Sequence, residues 1–205
     1  MMRPLLIYGS GGHAKVIWDI ATLQPDVEVE QVVDDAPTRR GRSFRGTIIE
    51  GPEQIDAART PFGVVAIGNN AVRERLAARL SQRGVALLSL AHPRSVVARD
   101  VVLGEGTVVM AGAILNPSCR VGPLAIINTG ATVDHDASIG TSVHIAPGVH
   151  VAGDVTIGDR VLVGIGAVVL PGVHIGADAT IGAGAVLRHD VPAGATVVGN
   201  PARTL

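Results

Sequence analysis

The sequence predicts two parts, an α/β domain over residues 1–90 and an all-β solenoid of short parallel strands over residues 91–205. Two observations predict this fold class. A six-residue repeat of Val, Ile or Leu runs through the second half, whereas apolar strands alternate with helical segments in the first. The 205 residues carry a net charge of −1 and include 26 Gly, but only one Trp, one Tyr and two Phe. So few rings indicate a core packed narrowly and repetitively from aliphatic side chains.

The repeat in the second half is uninterrupted. Every sixth residue from Val97 to Leu187 is Val, Ile or Leu, sixteen in succession. A period of six fits neither an amphipathic helix nor a simple alternating strand, but it fits short strands separated by tight corners where Gly is useful. Three strands then make a coil of eighteen residues, and the run gives about five coils stacked as parallel sheets. This hexapeptide pattern resembles that of the left-handed parallel β-helix, in which Cys119 takes an inward position as a buried core thiol.

The first half alternates between strand and helix. Such alternation predicts a parallel sheet covered by helices, and a domain boundary is expected near His92-Pro93, because Pro discourages regular structure in its predecessor. The predicted strands lie at 5–8, 29–33, 64–67 and 86–90, and the predicted helices at 13–23, 52–58 and 71–83.

A glycine-rich loop follows the first predicted strand. Gly9-x-Gly11-x-x-Ala14, with Asp34 about twenty residues on, imitates the Rossmann dinucleotide fingerprint, in which Gly lets the backbone approach a phosphate at a helix amino terminus. About ninety residues supply only one mononucleotide-binding half. We therefore expect a Rossmann-like domain that binds a nucleotide monophosphate-like or nucleotide-sugar ligand rather than NAD. The alternative is that these glycines only make a tight turn.

Five of the seven His lie in the repeat half, and the repeat sorts them by position. His135 falls in the corner Asp134-His135-Asp136, where a carboxylate can orient the imidazole and raise its basicity, as a general base requires. The alternative is a solvated corner histidine. His144 falls mid-strand on the face opposite His135, too far across one coil to share a site with it. If both serve one site, adjacent subunits must supply them, which predicts a homotrimer with sites between its subunits.

Several motifs resemble one known family. They are Tyr8-Gly-Ser-Gly-Gly-His13, Asp34-Asp35, Ile67-Gly-Asn-Asn70, residues 128–140 with their continuation through 144–154, and Gly199-Asn-Pro-Ala202. Together they resemble the bacterial sugar O-acetyltransferase family, which includes sialic acid O-acetyltransferases, and most closely its nucleotide-sugar 4-amino N-acetyltransferases of the bacillosamine and perosamine type.

The resemblance implies roles for individual residues. It implies His135 as the catalytic base, with Asp136 as the acid that polarises it in a place where the amino-sugar enzymes usually carry Glu. It implies acetyl-CoA contacts from His144, Gly153 and Ile165, and no metal. The nucleotide-sugar contacts it implies are Gly11, Gly12, His13, Asp34, Asp35 and Gly68.

The expected function is direct transfer of an acetyl group from acetyl-CoA to the 4-amino group of a nucleotide-linked 4-amino-4,6-dideoxyhexose, in surface polysaccharide biosynthesis. O-acetylation of a sialic acid or related sugar is the main alternative. Two further alternatives are a zinc-dependent carbonic anhydrase of the γ type and a nucleotide-sugar-binding protein without catalysis.

The remaining sequence features bear on location and partners. The apolar stretch near the amino terminus has only four residues, too few for a signal peptide, and no apolar run reaches membrane-spanning length. No Lys/Arg run offers a surface for nucleic acid or anionic lipid. We expect a cytoplasmic protein that binds neither nucleic acid nor membrane.

Overall fold

The computed structural model describes residues 2–205, which form two compact units divided between Pro93 and Arg94. The first unit is an α/β unit with a single mixed sheet. Its elements are β1 (Arg3–Tyr8), α1 (Gly12–Thr22), β2 (Val27–Val33), β3 (Ser43–Phe44), β4 (Thr47–Glu50), a 3₁₀ turn (Pro52–Gln54), β5 (Phe62–Val65), α2 (Asn70–Gln82), β6 (Ala86–Leu87) and β7 (Leu90–Ala91).

The sheet of the first unit has the order β3-β4-β2-β1-β5-β6 and is parallel except for the β3–β4 pair. The chain moves outward from β1 through β2 to β4 and then crosses back to β5. This reversal beside β1 creates a crevice at the carboxyl ends of the strands, the usual ligand position in open α/β sheets. The predicted parallel sheet is confirmed, whereas the β3–β4 hairpin was not predicted.

The helix predicted at 52–58 is wrong. Only the 3₁₀ turn Pro52–Gln54 forms, and Ile55 already has extended backbone angles. Asp56 then begins a separate turn, in which its side chain accepts a hydrogen bond from the N–H of Ala58 at 2.9 Å. Such a local side-chain bond offers the backbone an alternative to helix. The single strand predicted at 86–90 is likewise divided into β6 and β7.

The second unit is a parallel solenoid of two-residue strands that visit three sheets in turn. The first sheet contains β8 (Val96–Val97), β11 (Ile114–Leu115), β14 (Thr132–Val133), β17 (His150–Val151), β20 (Val168–Val169) and β23 (Val186–Leu187). The second contains β9 (Val102–Leu103), β12 (Arg120–Val121), β15 (Ser138–Ile139), β18 (Thr156–Ile157) and β21 (His174–Ile175). The third contains β10 (Val108–Val109), β13 (Ile126–Ile127), β16 (His144–Ile145), β19 (Leu162–Val163), β22 (Thr180–Ile181) and β24 (Thr196–Val198), with β25 (Arg203–Thr204) antiparallel to β24.

Stacking in the solenoid follows the eighteen-residue register. Val133 pairs with Val151 and then Val169, and Ile127 pairs with Ile145 and then Val163. From Thr107 onward, the repeated aliphatic and the small residue two places before it point inward and are almost completely buried, Cys119 among them. The predicted fold, a Rossmann-like α/β domain followed by a left-handed parallel β-helix, is confirmed.

Two edges of the solenoid matter for the site. The His135 edge joins the first sheet to the second and includes the corners 134–136, 152–154, 170–172 and 188–190. The Ile165 edge joins the third sheet to the first and includes the corners 146–148 and 164–166. The third sheet therefore lies across the coil from the His135 edge. Among the described residues, no helix has the length and apolar character needed to cross a membrane.

Candidate active site

His135 projects from its edge with a fixed ring. Its Nδ1 lies 2.8 Å from Oδ2 of Asp136, and its backbone N–H donates to Asp134 at 3.0 Å. Asn116, one coil below, donates to the same Asp134 oxygen at 2.8 Å. Asp136 has a left-handed φ of 60°, a conformation that Asp tolerates better than most residues. The corner therefore aims the carboxylate at Nδ1 and leaves Nε2 for a ligand.

The surroundings of His135 are acidic. The hydrogen bond to Asp136 raises the pKa of His135, and the charges of Asp134, Asp136 and Asp154 raise it further, which together outweigh the opposing effect of desolvation. The side chain of Asp154 makes no hydrogen bond with residues 2–205. The imidazole is therefore a stronger base than an ordinary histidine, in a position that favours an approaching cation.

Gly153 lies directly against the His135 ring, one coil further along the edge. A Cβ built on Gly153 would lie 2.7 Å from Cε1 and 2.8 Å from Nε2 of His135. Asp154 donates its backbone N–H to the carbonyl of His135 at 3.0 Å, which fixes the two corners in register. The N–H of Gly153 donates no hydrogen bond within the described chain.

We expect the substitution Gly153→Ala to displace the His135 ring without unfolding the solenoid. The backbone of Gly153 is outside the left-handed region, and the built Cβ meets the tip of one side chain rather than backbone. Since misplacing a reacting group by about 1 Å can cost on the order of 100-fold in rate, kcat should fall by roughly that factor. Turnover and thermal unfolding should be measured together, and a variant with full activity would show that the ring position is unimportant.

The structure separates the remaining predicted acetyl-CoA contacts from His135. His144 lies in the third sheet, where its Nε2 is 3.1 Å from Nδ2 of Asn128. Asn128 accepts from the N–H of Thr129 through Oδ1, so its amide nitrogen must face the ring, and Nε2 of His144 is the unprotonated nitrogen. Ile165 is 61% exposed on its own edge. Within one chain, His135, Asp136 and Gly153 come together, but His144 and Ile165 do not join them.

A second group of predicted residues surrounds the start of α1. Gly9 has a φ of 112°, and a Cβ there would lie 2.9 Å from Ile67, so the turn requires glycine. Gly11 caps α1 without a side-chain hydrogen bond, and Gly12 opens the helix. A Cβ on Gly12 would meet nothing within 4 Å. Since packing does not demand glycine at Gly12, the bare backbone there is open to a ligand. His13 follows, half-buried on α1.

Asp34 holds this glycine loop in place. Its Oδ2 accepts from the N–H and the hydroxyl of Ser10 at 2.9 and 2.6 Å, and its Oδ1 accepts from the N–H of Ala36 at 2.9 Å. Burial opposes ionisation, but these bonds and the charge of Arg39, 3.5 Å away, outweigh it and lower the pKa of Asp34. Both oxygens of Asp34 are therefore occupied by the protein itself.

Asp35 is held differently, by two side chains that sequence reasoning missed. Its Oδ1 accepts from the hydroxyl of buried Tyr8 and from Nη1 of Arg79, each at 2.8 Å. Burial and the bond to Asp35 raise the pKa of Tyr8 to about 12, so the phenol remains a donor. No sequence motif links Tyr8, Asp35 and Arg79, because β1, the end of β2 and α2 meet only in the fold.

Tyr8, Asp34 and Asp35 line a cavity of about 220 Å³ at the carboxyl ends of β1, β2 and β5. Its other walls are mostly apolar, from Ile67, Val72 and Leu76. Gly68 follows Ile67, and the buried Arg73 holds this loop by donating to the carbonyls of both residues at 3.0 Å. Burial lowers the pKa of Arg73 to about 10. Arg73 is a second structural residue that no motif pointed to.

A further cavity, of about 240 Å³, lies at the last coil of the solenoid. The corner 188–190 continues the His135 edge three coils beyond the corner 134–136. Arg188, His189 and Arg203 line this cavity together with Asp190, whose Oδ1 accepts from the N–H of His174. Arg188 makes no hydrogen bond or ion pair with residues 2–205. In the same range, no three His, Cys, Asp or Glu side chains group as metal ligands.

The repeats define the class of protein: a hexapeptide-repeat transferase with an α/β amino-terminal unit. Residues 4–80 match the family described as the PglD N-terminal domain, and residues 154–189 match the bacterial transferase hexapeptide family of six repeats. UDP-N-acetylbacillosamine N-acetyltransferase of Bacillus subtilis (strain 168) is 36% identical over 117 residues, which are 54% of this chain and 52% of that protein. The matched segment is thus about half the length of that relative.

Two solved structures match almost end to end. The acetyltransferase domain of PglB from Neisseria gonorrhoeae FA1090 has a TM-score of 0.92 and 35% identity, covering 99% of this chain and 100% of its own. PerB from Caulobacter crescentus, in complex with CoA and GDP-perosamine, has a TM-score of 0.88 and 37% identity, covering 98% and 97%. The Caulobacter crescentus enzyme is also known as variants with one histidine changed to Asn or Ala. The chain belongs to the family of hexapeptide-repeat acetyltransferases that these two proteins represent, and the resemblance predicted from its motifs is confirmed.

Proposed function

We propose that this chain transfers the acetyl group of acetyl-CoA to the 4-amino group of a nucleotide-linked 4-amino-4,6-dideoxyhexose. The observation that carries the proposal is the His135 corner, where Asp136 engages Nδ1, Nε2 makes no hydrogen bond within the described chain, and Gly153 lies against the ring. The relatives support it, since they include an N-acetyltransferase for UDP-N-acetylbacillosamine and an enzyme that binds CoA with GDP-perosamine. Both substrates are cytoplasmic metabolites in this proposal.

His135 is the general base in the proposed reaction. The sugar amine attacks the thioester carbonyl, forming the C–N bond, while Nε2 of His135 takes a proton from the nitrogen. The N–H of Gly153 stabilises the oxyanion of the tetrahedral intermediate. The C–S bond then breaks, and the proton passes from His135 to the sulfur, releasing the amide and the CoA thiol. Transfer is direct, because Cys119 is buried and burial raises the pKa of its thiol.

The charges around His135 favour an amine acceptor. Asp134, Asp136 and Asp154 surround the imidazole and attract an amino sugar that arrives largely as an ammonium ion, which releases one proton to solvent before the neutral amine attacks. A sialic acid carries its own carboxylate and would meet three like charges. This acidic setting is the reason for preferring N-acetylation over O-acetylation of a sialic acid.

The proposal extends to a homotrimer in which each site uses two subunits. One subunit supplies His135, Asp136 and Gly153, and its neighbour supplies His144 and Ile165 to the acetyl-CoA. Apolar side chains are exposed on both surfaces that would meet, Leu170 on the His135 edge and Leu162 beside His144 on the third sheet.

The proposed nucleotide-sugar site lies in the first unit. It consists of the Gly11–Gly12 turn, His13, Asp34, Asp35 and Gly68, with Asp34 acting through Ser10.

Release of the CoA thiol tests the function. Acetyl-CoA should be turned over with one or more UDP-, GDP- or dTDP-linked 4-amino sugars and not with free sialic acid. The matched 4-hydroxy nucleotide sugar is the control, since it differs only at the acceptor atom. Turnover of sialic acid together with none of the amino sugars would overturn the proposal in favour of O-acetylation.

We expect Asp136→Asn to change the pH dependence of kcat. His135 must be neutral to accept a proton, so activity rises with pH through its pKa, which Asp136 raises. Removing the carboxylate lowers that pKa, so the acidic limb of the pH profile of kcat moves to lower pH. The weaker base also reduces the maximum kcat on the order of 10-fold. Asp154→Asn acts through charge alone and should shift the limb less in the same direction. An acidic limb that stays in place in both variants would exclude His135 as the titrating group.

The phosphates of acetyl-CoA are proposed to reach the cavity beside Arg188. Three coils separate this corner from His135, about 14 Å at the usual strand spacing, a distance that an extended pantetheine arm can span. Arg188→Gln should therefore raise the KM for acetyl-CoA roughly 10-fold without changing kcat. Arg120→Gln, an exposed arginine on the second sheet, is the matched control. An unchanged KM in the Arg188 variant would place the phosphates elsewhere.

A further inference from the structure

The cavity of the first unit presents an unusual carboxylate. Asp35 Oδ1 is saturated by Tyr8 and Arg79, while Oδ2 accepts no hydrogen bond from residues 2–205. The backbone N–H of Asp35 is likewise without an acceptor in that range. One acceptor and one donor of the same residue are thus left for a ligand at the rim of an apolar cavity.

Asp34 cannot take this role. Its two oxygens accept three hydrogen bonds from Ser10 and Ala36, and breaking them would release the loop that packs against Ile67. The two adjacent aspartates therefore have different roles. Asp34 shapes the glycine loop, and Asp35 is the one that can face a ligand.

We propose that Asp35 selects the base of the nucleotide, that the base is uracil or thymine, and that Tyr8 and Arg79 are positioning residues that restrict Asp35 to one free oxygen. The inference deepens the proposed function and rests on it. A uracil or thymine ring presents one N–H between two carbonyls, which matches Oδ2 as acceptor and the Asp35 N–H as donor. The flat faces of the ring pack against Ile67, Val72 and Leu76.

The other bases fit this arrangement less well. Cytosine and adenine place a bare ring nitrogen, itself an acceptor, where uracil has its N–H, so it would face Oδ2 without a proton between them. Guanine has the matching N–H and carbonyl but adds an amino group. With Oδ1 saturated by Tyr8 and Arg79, that amino group lacks a carboxylate oxygen of its own, and an unsatisfied polar group in a partly buried site is costly.

Binding of nucleoside diphosphates without acetyl-CoA tests the proposal by calorimetry. We expect UDP and dTDP to bind roughly 10-fold more tightly than CDP and ADP, and roughly 3-fold or more tighter than GDP. Asp35→Asn should remove the preference for UDP over CDP, because an amide can donate as well as accept. Equal binding of the five nucleotides, tighter binding of GDP, or an unchanged UDP to CDP ratio in the Asn variant would overturn it.

Arg79 supplies the test of positioning. Arg79→Gln should weaken UDP binding roughly 3- to 10-fold and reduce the preference over GDP, because Asp35 regains freedom to rotate. It should raise the KM for the nucleotide sugar while leaving kcat and the KM for acetyl-CoA unchanged, and Arg79→Lys should restore part of the loss. Arg75→Gln, an exposed arginine on the same helix, is the control. A merely structural Arg79 would lower the melting temperature and leave the ratio between bases unchanged, which counts against the proposal.

The two proposals fail separately. Acetyl transfer to amino sugars without a preference for UDP or dTDP would leave the proposed function intact and remove this inference. A clear preference for UDP or dTDP in a chain that never turns over acetyl-CoA would do the reverse.

Discussion

His135→Ala should reduce acetyl transfer by about 10²- to 10⁴-fold, the range that a positioned general base contributes. The loss should fall on kcat, because the ring makes its contribution in the transition state, when the amine nitrogen loses its proton. Binding of acetyl-CoA and of the nucleotide sugar should change little, since both rely on other residues. Initial rates of CoA release at saturating substrates, with separate binding measurements, distinguish these effects.

His174→Asn is the matched control for that experiment. His174 is an exposed histidine in β21 of the second sheet, two coils beyond the His135 corner, and its side chain accepts or donates no hydrogen bond within the described chain. It should retain full activity. If the two variants lost activity equally, or if the His135 variant kept most of its rate above neutral pH, the proposed base would be wrong.

The solenoid was predictable because its determinants are local and repeated. A side chain that recurs every six residues is buried at every strand, so the period alone dictates three sheets and an eighteen-residue register. Because Gly153 follows His135 by eighteen residues, that register also predicts that the two residues are stacked, and the structure shows this contact. The adjacency of His135 and Asp136 in sequence likewise survives as a 2.8 Å contact.

The first unit was less predictable because its contacts join distant segments. Tyr8 and Arg79 are 71 residues apart in the chain, yet both hold Asp35. The helix predicted at 52–58 is interrupted at Ile55, which is extended, and the side-chain hydrogen bond of Asp56 to the backbone then favours a separate turn. The sequence pattern shows which residue types are present, but the distinction between Asp34 and Asp35 depends on which donors the fold brings to each carboxylate.

Two inactive variants should regain activity when they share a trimer. His135→Ala removes the base from one edge, and His144→Ala removes a contact from the third sheet, which lies across the coil from that edge. If each site combines the His135 edge of one subunit with the third sheet of the next, a trimer containing both variants always has one junction at which both histidines are intact. Such mixed trimers should show about one third of wild-type activity.

Co-expression with two different affinity tags and purification through both isolates the mixed trimers, and sedimentation verifies their size. The matched control pairs His135→Ala with Gly153→Ala, because both residues belong to the same edge. In that pair, every junction still lacks one of them, and no activity should return. Recovery only in the first pair requires a site between subunits. An activity equal to the mean of the two parents in both pairs would mean that each solenoid works alone, and His144 would then have no access to the chemistry at His135.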